Sequence, residues 1–197
     1  MRVRDGILGV FMLRLVSLVA LLSSLALTSA CSQPPAKERG QAEGAIAAAR
    51  AASAEVYAAD ELLAAETALS EYDAAVAQGD FRGALNAALA ARDRAYEAVR
   101  RASTAKAEAR GRAVRLVTEI EALISQITGR LAGTTTPRIT GAGAQRLRQA
   151  VAATSKALQE AGTVIDDEQY PVAITRLETA LAGLQKEFDT ATKRSRP

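Results

Sequence analysis

FRGALNAALAARDRAYEAVRRASTAKAEARGRAVRLVTEIEALISQI, residues 81–127, decides the fold. Phe81, Leu85, Ala88, Arg92, Ala95, Val99, Ala102, Lys106, Ala109, Ala113, Leu116, Ile120, Leu123 and Ile127 follow one another in alternating steps of four and three. That spacing places them along one face of a helix with coiled-coil periodicity. Only Arg92 and Lys106 break the apolar run, no proline interrupts it, and Gly111 lies off the seam. One helix over 81–130 would be ~75 Å long, a length that points to an extended, coiled-coil-like element.

Upstream, Leu62, Ala65, Leu69, Tyr72 and Val76 form a second seam. Between the two, Gly79 suits a left-handed helix stop and Asp80 an N-cap, so the two helices are expected to form an antiparallel hairpin. Ile46, Ala49, Ser53 and Val56 make a weaker stripe out of phase with Leu62, which predicts a break across 57–61 with Asp60 as a cap. The whole of 41–78 is expected to lie back along 81–118. Residues 32–40, with Pro34-Pro35, read as a polar spacer.

Downstream, glycines, a threonine run and Pro137 mark 129–142 as a linker. Leu147, Val151, Thr154, Leu158 and Ala161 then predict a helix stopping at Gly162. Asp166 or Asp167 would cap a last helix seamed by Tyr170, Ile174, Leu177, Leu181, Leu184 and Phe188. GDFRGAL (79–85) aligns with EQYPVAI (168–174), each opening the second helix of a hairpin, which suggests two distant copies.

The expected fold is therefore all-α: an elongated antiparallel helical hairpin over 41–131, a linker at 132–141, and a second helical hairpin at 142–193. The second hairpin should pack at the end of the first that lies away from the Gly79 tip. The first seam is mostly alanine and the large aliphatics sit at 116–127 and 147–188, so the Gly79 tip should be the less stable end.

Composition narrows the chemistry. The chain has no histidine and one cysteine, which removes the commonest general base and most metal-ligand sets. Asp166-Asp167-Glu168 lacks the spacing of a calcium loop and reads as an acidic helix start. Ser155 and Lys156 are adjacent and point to different helix faces, and no nucleophile elbow, phosphate loop or dinucleotide fingerprint is present. The expectation is a protein that is not an enzyme and holds no metal or cofactor.

The lone Cys31 lies behind a different kind of segment. Arg2, Arg4 and Arg14 precede a thirteen-residue apolar core at 15–27, followed by Thr28-Ser29-Ala30. A basic start, a short apolar core and a small-residue exit are the parts of a secretory signal. Translation could start at Met1 or at Met12; a start at Met12 keeps Arg14 alone ahead of the core and gives a more compact signal. Leu27-Thr28-Ser29-Ala30-Cys31 resembles the lipobox of bacterial lipoproteins, with Thr28 where leucine is commonest. The resemblance implies cleavage between Ala30 and Cys31 and fatty-acyl (palmitate-type) modification of Cys31. Residues 1–30 would be the signal peptide and 31–40 the lipidated N-terminus and linker. Ser32 in place of aspartate implies the periplasmic face of an outer membrane. Two or three acyl chains hold a protein stably at a bilayer, where one does not.

Removing residues 1–30 takes away three arginines and one aspartate, and the formal charge of +3 falls to +1. With no aromatic–basic interleaving besides, nucleic-acid binding is not expected. Residues 92–115 nevertheless hold eight basic side chains against three acidic ones. Arg92, Arg100, Arg101 and Lys106 form a candidate interaction surface for phospholipid headgroups, an acidic envelope polymer or a partner helix. The competing reading pairs these cations with Asp60, Glu61, Glu66 or Glu71 across the hairpin.

Residues 56–102 also resemble an alanine-rich helical domain of unknown function in bacterial envelope lipoproteins, on Tyr57, Glu61-Leu62, Ala65, Ala68-Leu69, Gly79-Asp80-Phe81, Ala84 and Ala91. That domain is sometimes fused to an OmpA-like peptidoglycan-binding domain, which is not found in this sequence. The function these readings imply is a membrane-anchored scaffold of the cell envelope whose partner is an envelope protein or a peptidoglycan-associated one. A lipid- or glycan-binding periplasmic carrier, using a groove between the last two helices, is the alternative. Long alanine seams pair between copies as readily as within one, which leaves a homo-oligomer open.

Overall fold

The structure is a computed structural model that describes residues 33–133 and 139–194. Among them are six helices and no strand, so the chain is all-α: α1 (Ala36–Ala51), α2 (Ala54–Tyr57), α3 (Ala59–Ala77), α4 (Phe81–Ala132), α5 (Gly141–Asp166) and α6 (Tyr170–Arg194). The signal segment, Ala30 and Cys31 lie outside the described residues, as does 134–138 of the linker.

The residues fall into two compact units, divided at Val99/Arg100 inside the continuous helix α4 rather than at the expected linker; Val56–Ala58 group with the second. The first unit is a three-helix bundle and not the expected pair. Helix α1 begins at Ala36, inside the presumed spacer, because Pro34 and Pro35 supply carbonyls that accept from Ala36 and Arg39 N–H at 2.8 and 3.1 Å while needing no donor of their own. At its other end Ser53 adopts φ 63° and donates its N–H to the Arg50 carbonyl at 2.8 Å. The chain therefore breaks at Ala52–Ser53, ahead of the expected range, and again at Ala58, within the expected 57–61. Asp60 sits in the first turn of α3, where a negative charge suits the helix dipole.

Beyond that break the chain turns back and α1 packs on α3. Arg39 pairs with Asp73 at 3.3 Å and Arg50 with Glu66 at 2.6 Å, a crossed order that fixes the two helices antiparallel. Arg39 also lies 5.8 Å from the Tyr72 ring centre, a cation–π contact.

Between α3 and α4 the turn forms as expected. Gly79 takes φ 74°; its N–H and that of Asp80 bond the Val76 and Ala75 carbonyls at 3.0 and 2.9 Å, and Asp80 Oδ1 caps α4 by accepting from Gly83 N–H at 2.8 Å. The core of this unit is small: Ala42, Ala68 and Ala91 meet in one cluster, Tyr72, Ala84 and Ala88 in another. On the first-unit part of α4 the buried positions are 84, 88, 91, 95 and 98, so Ala84, Ala91 and Ala98 occupy the seam in place of the expected Leu85, Arg92 and Val99. Val56, expected in the α1 stripe, is 63 % exposed.

In the second unit the latter part of α4 packs with α5 and α6. Ile127, Ile139, Leu147 and Leu184 form one cluster and Ile120, Ala161, Leu177 and Leu181 the next, in an up-down-up order. Ile139, within the expected linker, is a core residue. Helix α5 does not stop at Gly162 but runs to Asp166, since Ala161 and Ile165 on either side are held by the core. Asp167 is the C-cap of α5 rather than the start of α6.

The α5–α6 turn repeats the α3–α4 turn. Glu168 has φ 59°; its N–H and that of Gln169 bond the Ile165 and Val164 carbonyls at 2.9 and 3.0 Å, and the next helix opens two residues on, at Tyr170 as at Phe81.

Burying an alanine methyl yields ~0.8 kcal/mol and a leucine or isoleucine side chain ~1.5–3 kcal/mol, so the second unit has the stronger core. Amides of α1 and α3 should therefore exchange with deuterium sooner than those of α5 and α6; the opposite order would contradict this reading. Ile120→Ala is expected to cost about 2–5 kcal/mol. Gly79→Ala should cost about 1 kcal/mol from backbone strain alone, because a Cβ there meets no atom within 4 Å. Chemical denaturation measures both.

Candidate functional site

The four candidate cations all lie on α4 but are not brought together into one site. Arg92 belongs to the first unit, is half-buried, and donates from Nε and Nη2 to Asp93 Oδ1 at 2.9 and 2.8 Å. The displaced seam explains why it is tolerated: Ala91 takes the core position and Arg92 flanks it. Arg94 donates to the Ala64 carbonyl at 3.0 Å, across to α3. Arg100 and Arg101 are exposed residues of the second unit, and each has a partner. Lys106 is half-buried and pairs with Glu168 at 2.5 Å, while Arg112 pairs with Glu178. Arg92, Lys106 and Arg112 thus pair with Asp93, Glu168 and Glu178, while Glu66, expected opposite α4, is bonded to Arg50.

Lys106 and Glu168 form a polar cluster with Tyr57. Glu168 is a non-glycine residue at positive φ, a conformation that costs roughly 1–2 kcal/mol. Two contacts hold it there. Its carboxylate accepts from Lys106 Nζ, and its carbonyl accepts from Tyr57 Oη at 3.3 Å. The hydrogen bond to Lys106 holds the Glu168 carboxyl below its ordinary 4.5, and the same bond raises Lys106 above 10.5. Burial raises the Tyr57 phenol, partly opposed by the Lys106 charge. Such a cluster fastens the 56–58 segment and the α5–α6 turn to α4. Its chemistry is that of a structural clamp. Glu168 was legible only through the alignment of 168 with Gly79, since glutamate is not a residue from which a left-handed stop is read.

A second feature is a groove of about 640 Å³ between α5 and α6. Ala153, Thr154 and Ala157 line it from one side and Thr179, Ala180 and Gly183 from the other, with Leu184 beneath. This is where a groove was expected between the last two helices. No group of three or more metal-ligating side chains occurs among the described residues, and none of their helices is long and apolar enough to cross a membrane.

Comparison with known protein families, with curated proteins and with solved structures finds no match to this chain.

The Lys106–Glu168 pair makes stability depend on pH at both ends. The lowered Glu168 value means its contribution is present above the ordinary carboxylate range and is lost as pH falls through and below 4.5. The raised Lys106 value means its contribution is present below the ordinary lysine range and is lost as pH rises beyond 10.5. Glu168→Gln should therefore lower Tm at pH 7, with the two curves converging near pH 3. Parallel Tm curves across that range would show that the pair contributes nothing.

Proposed function

We propose that this protein is a lipid-anchored bacterial envelope lipoprotein that acts as a structural and interaction scaffold, fixed by acyl chains on Cys31 to the periplasmic face of the outer membrane. The observation that carries the reading is Leu27-Thr28-Ser29-Ala30-Cys31 directly behind a short apolar core with a basic start. Two compact helical units, one with an alanine core and one with an isoleucine–leucine core, suit a protein whose task is to present surfaces. Exposed faces of α4 around Arg100 and Arg101 are the surface such a scaffold would offer to an envelope protein or a peptidoglycan-associated partner.

The groove between α5 and α6 favours a second reading, a lipid- or glycan-binding carrier, because its volume falls in the range of small-molecule sites. Native mass spectrometry separates the two: a co-purified lipid or glycan supports the carrier, a bound envelope protein the scaffold. Metabolic labelling with a fatty acid tests the anchor. Cys31→Ser should abolish labelling and move the protein out of the detergent phase. A chain that stays unlabelled with Cys31 intact, or whose mature N-terminus is another residue, refutes the anchor.

A further inference from the structure

We infer that the α5–α6 groove is a self-association surface, occupied by the same groove of a second copy with the two α6 helices antiparallel across a two-fold axis. Gly183 is the first observation. It sits in the interior of α6, where glycine is ~0.5–1 kcal/mol worse than alanine, yet a Cβ there meets nothing within 4 Å. Among the described residues nothing uses the space, whereas a helix approaching from outside would.

Thr154 is the second. It lines the groove, is 4 % exposed, and is the one buried polar residue described. Thr175 and Thr179 opposite donate their hydroxyl protons to the Pro171 and Thr175 carbonyls at 3.0 and 2.8 Å. Among the described residues Thr154 forms no such bond. Its hydroxyl oxygen is still reached by solvent, since the buried side-chain atom left without a partner among the described residues is Arg130 Nη1, so a group seated in the groove can bond it.

Charge selects the occupant. Arg176 and Glu187 border the groove, and among the described residues neither has an ion-pair partner. They are eleven residues apart, close to three helical turns, so they share a face of α6 but lie ~16 Å apart and cannot meet each other. Their midpoint falls between Ala180 and Gly183, the smallest residues of the groove wall. When two α6 helices cross antiparallel about that point, each Arg176 meets the Glu187 of the other copy, and the close approach falls where the side chains are smallest. A surface that is complementary to itself under a two-fold rotation is what an isologous dimer requires. A lipid or glycan has no need of opposite charges at this spacing.

The inference stands apart from the Cys31 anchor and is tested without altering it. Sedimentation equilibrium of the full chain in density-matched detergent should show a dimer whose dissociation constant rises about tenfold in Arg176→Glu and in Glu187→Arg. The double exchange R176E/E187R should restore it to within about threefold, and an equimolar mixture of the two single variants should form mixed dimers. Gly183→Leu should give a monomer with wild-type helicity and an unreduced Tm. A wild-type chain that is monomeric at all concentrations, a monomer carrying a bound small molecule in native mass spectrometry, or a double exchange as weak as the single ones overturns it. Cys31→Ser is expected to leave the association unchanged, so loss of the anchor and loss of the dimer are separate outcomes.

Discussion

Alanine at a helix contact permits close approach of two backbones but gives little free energy per residue, and this trade governs the first unit. Its core positions on α1, α3 and α4 are nearly all methyl groups. Fully apolar contacts of that size cannot by themselves choose among neighbouring registers, because a shift of one position often replaces one alanine by another. Register is set by the larger and charged groups around the methyls. Tyr72 is buried beneath Arg39; Arg39–Asp73 and Arg50–Glu66 fix the direction of α1 against α3; and Asp80 fixes where α4 begins. Exposed pairs of this kind are individually weak. Their role is to select among arrangements that the core alone leaves close in energy.

The same property decides what could be read from the sequence. Seams of branched side chains were legible: Leu147 and Ala161 on α5, and Tyr170, Leu177, Leu181 and Leu184 on α6, are buried as their spacing requires. Gly79 and Asp80 were legible because a left-handed stop and a carboxylate cap each demand a particular residue type. On the first part of α4 the phase was not, since residues 84, 91 and 98 are alanines as suitable as the leucine and valine beside them. Ile139 was hidden by its polar, glycine-rich surroundings, and the helical start at Ala36 by a proline pair that initiates a helix as well as it ends one. Gly162 lies inside a helix because the core on both sides of it outweighs the local preference for a stop.

For the candidate surface, composition exposed the excess of cations but not their partners. Glu168 faces Lys106 only because a turn places it there, sixty-two positions away in sequence. The two matching turns show how one backbone shape is reached by different means. At Gly79 the residue itself removes the steric conflict. At Glu168 the conflict remains and is offset by bonds to a lysine and a tyrosine from separate segments, so that turn is coupled to tertiary structure in a way the first is not.

The up-down-up connectivity of each unit bears on the order in which the molecule assembles. Within each unit the three long helices pack on one another, and topologies of such local character fold rapidly. During synthesis the bundle of α1, α3 and the beginning of α4 is fully emerged while α5 and α6 have yet to be made, so it can close early, as leading domains do. The rest of α4 then waits with its isoleucines uncovered until the final hairpin arrives. That interval, rather than any property of the finished protein, is when the chain is most exposed to aggregation.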